Sequence, residues 1–77
     1  MNFSVEEILE VVDLIADEVD ACRRSGFVPL DFIINEFRNR YGTFNEEIFE
    51  FQIKKFDREG KLHAIYSEGV LYAIKLD

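Results

Sequence analysis

Few side chains of this chain could take part in catalysis. His63 is the only histidine and Cys22 the only cysteine among its 77 residues. One histidine supplies at most a single metal ligand. Two arginines follow Cys22, but the dipole opposes a thiolate at the end of a helix. We therefore expect both residues to be structural, and the sequence predicts no enzyme, no cofactor and no metal site.

Carboxylates are numerous, but they recur along one side of the first predicted helix, and a continuous helix cannot wrap an ion. A chain this short also leaves little room for a pocket, so we predict no small-molecule substrate. Such a face is usually solvated; the alternative is a surface that repels DNA or imitates its phosphates for a basic partner. The residues concerned are Glu6, Glu10, Asp13, Asp17 and Asp20.

Basic residues form a more informative pattern. Lys54, Lys55 and Arg58 recur at helical spacing, opposite the apolar stripe of their helix. Because neutralising phosphates supplies most of the affinity for nucleic acid, they are candidates for contacts with duplex DNA. The alternative is an ordinary face of mixed charge, since Glu47 and Glu50 interleave the bases. The candidate phosphate contacts are Lys54, Lys55, Arg58, Lys61, Arg38 and Arg40, and the candidate base readers are Asn45, Gln52 and Asn39.

Three apolar residues are candidates for contact with a partner. At about 100° per residue, Phe51 falls away from the apolar stripe of its helix and among the bases. It could stack on a base or fill a protein pocket; the alternatives are burial under the hairpin or simple exposure. Val11 and Leu14 lie outside the main stripe of the first helix. They form either a seam between two copies or a wide face packed within one chain.

Composition describes one small folded domain over residues 1–77. Nearly half of the residues are hydrophobic, and a core of this size gains from shared burial, so we expect a homodimer through the first helix. The net charge of −7 arises entirely within residues 1–20. Because the sequence has no basic leader and no long apolar run, we predict neither export nor a membrane span. The lone cysteine favours a cytoplasmic location.

The elements that position these residues follow from periodicity and glycine. Ser4 and Glu7 form a capping box that starts a first helix, which Gly26 ends. Apolar spacing then predicts two shorter helices separated by Gly42. Beyond them the apolar pattern alternates, which predicts a β-hairpin that turns at Gly69. The predicted bounds are 4–25, 29–41 and 44–59 for the helices and 61–76 for the hairpin, with an extended segment near 26–29 as a candidate third strand.

This order of elements resembles the winged helix-turn-helix superfamily, in particular its small bacterial, archaeal and viral members. The resemblance is carried by Ile48-Phe49, Ile53, Phe56 and the stretch Glu59-Gly60-Lys61-Leu62. In that superfamily the third helix commonly ends in an apolar residue and a charged-Gly-charged-apolar entry into the first wing strand. The resemblance implies an α+β fold of three helices with a C-terminal two-stranded wing, in which 44–59 is the recognition helix and 66–70 the wing turn.

Two functions remain open on this basis. The first is a winged-helix DNA-binding protein, a small transcriptional regulator acting as a dimer. The second is an acidic winged-helix module for protein–protein interaction that does not bind DNA. The predicted wing turn carries Glu68 and no base, and Glu46 and Glu47 open the third helix, where a recognition helix contacts base edges. Charge therefore favours the second function, whereas the usual role of the fold favours the first.

Overall fold

The first helix begins where the sequence predicts. In the computed structural model, which describes residues 2–77, α1 spans Val5–Glu18. The Ser4 hydroxyl accepts a hydrogen bond from the Glu7 amide, and the Glu7 carboxylate accepts one from the Ser4 amide. These reciprocal bonds satisfy two amide groups that a helix start otherwise leaves unpaired, so the capping box is confirmed.

The first helix is shorter than predicted, and a single helix over 4–25 is wrong. Val19 adopts an extended backbone (φ −115°, ψ 96°), and a separate helix, α2, follows at Asp20–Ser25. A β-branched residue accepts extended backbone readily. Val19 packs against the core, and Cys22 on α2 is buried there as well. The break therefore lets a short second helix turn its apolar side onto the core.

The remaining helices are close to their predicted bounds. Strand β1 (Phe27–Pro29) leads directly into α3 (Leu30–Tyr41), and α4 spans Glu46–Arg58. Thr43 and Asn45 are both residue types that cap helices, and α4 is capped by Asn45, whose side chain accepts a hydrogen bond from the Ile48 amide at 3.1 Å. For this reason α4 begins two residues later than predicted.

A three-stranded antiparallel sheet completes the fold. Strands β2 (Ala64–Ser67) and β3 (Val70–Lys75) form the predicted hairpin, and β1 pairs with the other edge of β3, giving the order β1-β3-β2. The predicted two-stranded hairpin is confirmed, and the candidate strand near 26–29 is present as β1, so the sheet has three strands. Residues 2–77 form four helices rather than the predicted three. Together with the sheet they confirm the α+β class.

Two irregularities shape the hairpin. Its turn places Glu68 (φ 52°) and Gly69 (φ 80°) in the left-handed region, as a type I′ turn requires at both central positions. Ile65 pairs with Ala73 and Tyr66 pairs with Leu71, so Tyr72 is an extra residue in β3 and forms a β-bulge.

The core lies between the helices and one face of the sheet. Phe37 is at its centre, with ring centroids 4.5 Å from Phe3 and 5.0 Å from Phe49. Val28 and Ile74 face each other across β1 and β3 and are fully buried. None of the helices in the described part of the chain combines the length and apolar character needed to cross a membrane.

Candidate interaction surface

Helix α4 is held by two buried residues and presents its opposite side to solvent. Phe49 and Ile53 are fully buried, whereas Phe51 has 61% of its surface exposed and Ile48 has 44%. The prediction that Phe51 lies outside the core is confirmed, but Ile48, which helical spacing predicts on the same face as Phe49 and Ile53, lies outside it. We call the outward residues the α4 face: Glu47, Ile48, Phe51, Lys54, Lys55 and Arg58.

A shallow groove runs beside Phe51. Phe51, Ile48 and Phe56 form its apolar wall, and the N-terminal segment with Phe3 forms the other side. Gln52 fixes that segment in place, because its Oε1 accepts a hydrogen bond from the Phe3 amide at 3.2 Å. Its Nε2 also donates to the Asn2 side chain. The groove therefore has a defined wall next to the most exposed aromatic side chain of α4.

Two of the three candidate base readers have structural roles. Both the oxygen and the nitrogen of the Gln52 amide form hydrogen bonds with the N-terminal segment, and the Asn45 side chain caps α4. The Oδ1 of Asn45 and both polar atoms of the Gln52 amide are therefore engaged within the chain, and contact of either side chain with a base edge stays a prediction. Asn39 is exposed on α3.

Charge along α4 is divided between its two ends. Glu46, Glu47 and Glu50 occupy the N-terminal half, and Lys54, Lys55 and Arg58 the C-terminal half. The one acid in the C-terminal half, Asp57, accepts a hydrogen bond from the Ala64 amide of the hairpin. This polarity complements the helix dipole, which favours acids at the start and bases at the end. Phe51 lies where the sign changes. The α4 face therefore has an exposed aromatic side chain at its centre, an acidic residue towards the start of the helix and basic residues towards its end.

Only half of the predicted phosphate contacts are without an acidic neighbour. Among the described residues, Lys54, Lys55 and Arg58 have no carboxylate within 4 Å, whereas the other three candidates do. Arg38 pairs with Glu46, Arg40 with Glu36 at 3.0 Å, and Lys61 with Glu59 at 3.3 Å.

The three paired bases are poor candidates for a phosphate-binding patch. A side-chain hydrogen bond to Glu36 raises the pKa of Arg40, so this base stays charged, but the negative charge of a carboxylate lies beside it. Exposed pairs of this kind contribute little to stability. They do offset the local charge that would attract a phosphate, and the six bases therefore do not act as one positive surface.

The predicted seam on the first helix is only partly present. Val11 has 1% of its surface exposed and belongs to the core, so its assignment to a dimer contact is wrong. The reason is that α1 packs against α2, α3 and β1, which requires a wide apolar face. Leu14 is half-buried and lies outside the core cluster, so its contact with a second copy stays a prediction.

The acidic side of the N-terminal helices is partly neutralised. All five predicted acids are exposed, but Asp17 pairs with Arg23 at 2.6 Å and Asp20 pairs with Arg24. Within residues 2–77, no group of three or more His, Cys, Asp and Glu side chains is arranged to hold a metal ion. His63 is exposed, and Cys22 is buried.

A second apolar patch was not predicted. Phe27 and Tyr72 lie 5.7 Å apart between ring centroids and, with the exposed Phe32, line a groove beside Cys22. At about 100° per residue, Phe32 falls roughly opposite the buried residues Ile33 and Phe37 of α3, and this angle is the sequence signal of its exposure. The break at Val19 and the bulge at Tyr72 both border this groove, and neither is visible in the periodicity.

A comparison with protein-family models, with curated proteins and with solved structures finds no match. Function is therefore inferred from the geometry of the molecule itself.

Proposed function

We propose that this chain is a winged-helix module that docks a protein through its α4 face and does not bind DNA. The observation that carries the proposal is the exposure of Phe51 at the centre of that face. Ile48 enlarges the apolar area beside it, and adjoining apolar side chains rimmed by charge are typical of interaction sites.

The order of the elements supports the winged-helix assignment. An N-terminal helical segment, a short strand, two helices and a hairpin follow one another, and β3 lies between β1 and β2. This agrees with the element order on which the resemblance rests. In that superfamily α4 corresponds to the recognition helix, so the exposed aromatic lies on the surface that makes contact with the target.

The charges on α4 disfavour DNA as that target. Glu46 and Glu47 stand in its first turn, where a recognition helix meets base edges. Three of the six candidate phosphate contacts are paired with acids. The hairpin turn contributes Glu68 and no base. A duplex would therefore meet negative charge at the helix start and at the wing.

The residues around the groove support a particular chemistry for the docked segment. It presents an apolar side chain to the groove between Ile48, Phe51 and Phe56. Next to this anchor it carries an acidic residue that faces Lys55 and a basic residue that faces Glu47. Charges at the rim select the partner and its orientation, whereas the buried aromatic contact supplies most of the affinity.

Selection of peptides from a random displayed library tests this proposal without a known partner. We expect the immobilised protein to enrich segments with an apolar anchor flanked by charges of opposite sign. Binding of these peptides should weaken at least about tenfold in Phe51→Ala, a typical loss for a central aromatic contact. Val70→Ala, which truncates an exposed apolar residue on the hairpin, is the matched control and should bind normally. Selected peptides that bind Phe51→Ala as tightly as the natural chain would refute the proposed docking surface.

A second candidate, DNA binding, is favoured by one observation. Lys54, Lys55 and Arg58 are three of only four bases in the described part of the chain with no acid within 4 Å. If they bind phosphates, retention on duplex DNA should fall by orders of magnitude between about 50 and 200 mM salt. It should also be lost when all three become alanine. We expect no retention at low salt.

A further inference from the structure

We infer that the α4 face binds a second copy of this chain, with the two α4 helices antiparallel about a two-fold axis at Phe51. This inference rests on the function proposed above and names the partner of the same surface. Its basis is the charge pattern of the α4 face, in which Glu47 lies on one side of the exposed Phe51 and the bases lie on the other.

The spacing along α4 makes the face complementary to itself. Glu47 lies four residues before Phe51 and Lys55 four residues after it, each about 6 Å along the helix axis at 1.5 Å per residue. A two-fold axis through Phe51 therefore brings Glu47 of one copy opposite Lys55 of the other, and the symmetry repeats the pair. The two Phe51 rings meet at the axis, within reach of an offset or edge contact.

The other orientation of the two helices is unfavourable. In a parallel pair, the acidic halves would face each other, and so would the basic halves. Like charges placed opposite one another disfavour an interface. Glu46 adds to this repulsion only partly, because it pairs with Arg38 within its own chain. The charge pattern thus selects the antiparallel arrangement.

The size of α4 limits the strength of the dimer. Thirteen residues span about 20 Å, so two such helices bury less than the ~800 Å² per partner of a stable interface. We expect a reversible dimer with a dissociation constant on the order of 100 µM.

Sedimentation equilibrium over a range of protein concentrations, with charge-reversal variants, tests this arrangement. Glu47→Lys alone places two lysines opposite each other, and Lys55→Glu alone places two glutamates opposite each other. Each should weaken the dimer at least about fivefold. The double variant E47K/K55E restores both pairs and should dimerise like the natural chain. A mixture of the two single variants should form a heterodimer, because each copy then supplies the charge that the other lacks.

Matched controls distinguish this interface from a contact through α1 and from a general effect of net charge. Glu18→Lys makes the same charge change at an exposed position on α1 and should leave dimerisation unchanged. Leu14→Glu tests the contact predicted on the first helix and should also have no effect. Phe51→Ala should abolish the dimer, and its circular dichroism spectrum should stay that of the natural chain.

Three results would overturn the inference. The natural chain could stay monomeric at all concentrations up to about 1 mM, the dimer could have the same dissociation constant in both charge-reversal variants, or Leu14→Glu could disrupt it. These results leave the proposed function separately testable. A monomer that binds selected peptides through Phe51 would refute the self-association and retain the docking role. A chain retained on duplex DNA through Lys54, Lys55 and Arg58 would refute the docking role itself.

Discussion

Truncating Phe49 and Phe51 in turn should have very different consequences for stability, although the two residues lie two positions apart in one helix. Both changes remove the same side chain from the same helix, so effects on the unfolded chain largely cancel. The comparison therefore measures which side of α4 faces the core. The location of the α4 face depends on this orientation.

Phe49→Ala should bring the domain close to unfolding. The Phe49 ring is buried and lies 5.0 Å from Phe37, 5.4 Å from Phe44 and 5.7 Å from Phe3. Removing a buried phenylalanine typically costs about 3–5 kcal/mol. A domain of this length has a total stability of about 4–12 kcal/mol, so the loss takes between roughly a quarter and all of it.

Phe51→Ala should change the free energy of unfolding by less than about 1 kcal/mol. Most of the Phe51 side chain is already in water, and alanine recovers about 0.5 kcal/mol of helix propensity. Urea unfolding followed by circular dichroism measures both variants. With a slope near 1 kcal/mol per M, the midpoint should move by less than about 1 M for Phe51→Ala and by about 3 M or more for Phe49→Ala. Equal shifts would show that α4 is rotated and that Phe51 belongs to the core.

Three further changes test the local structure around α4 and the hairpin. Asn45→Ala should cost about 1 kcal/mol in urea unfolding because it removes the cap of α4, whereas Asn39→Ala, at an exposed site on α3, should cost little; equal costs would contradict the capping role. Gln52→Ala should speed amide hydrogen exchange at Phe3, whose N–H it binds, and unchanged exchange would argue against that bond. Glu68→Asn should raise the free energy of unfolding by roughly 0.5–1 kcal/mol because asparagine tolerates the left-handed backbone there, and a loss of stability would contradict the type I′ turn.

The parts of the fold that the sequence predicts are those fixed by local signals. The capping box at Ser4 and Glu7 starts α1, and Gly42 and Gly69 occupy the turns that separate the later elements. Periods of 3.6 and 2 residues distinguish helices from strands without knowledge of the packing. Phe51 could be placed outside the core for the same reason, since its angle on the helix excludes it from the buried stripe.

What the sequence could not predict depends on tertiary contacts. Val19 fits the apolar stripe of a continuous helix, so the periodicity does not mark the break that precedes the buried Cys22. Val11 and Ile48 lie near the edges of their apolar stripes, where burial depends on which neighbours cover them. Charge partners such as Arg38 and Glu46 come from different helices, so periodicity within one helix cannot reveal them.

The position of β3 in the middle of the sheet sets the order in which the chain can acquire its structure. The helices form from residues close in sequence, but β1 has no strand to pair with until β3, which begins only at Val70, has been synthesised. Contacts between distant residues such as Val28 and Ile74 are slow to form because a long loop must close first. On the ribosome, the sheet can therefore form only after β3 has left the exit tunnel, whereas each helix can form earlier from its own residues.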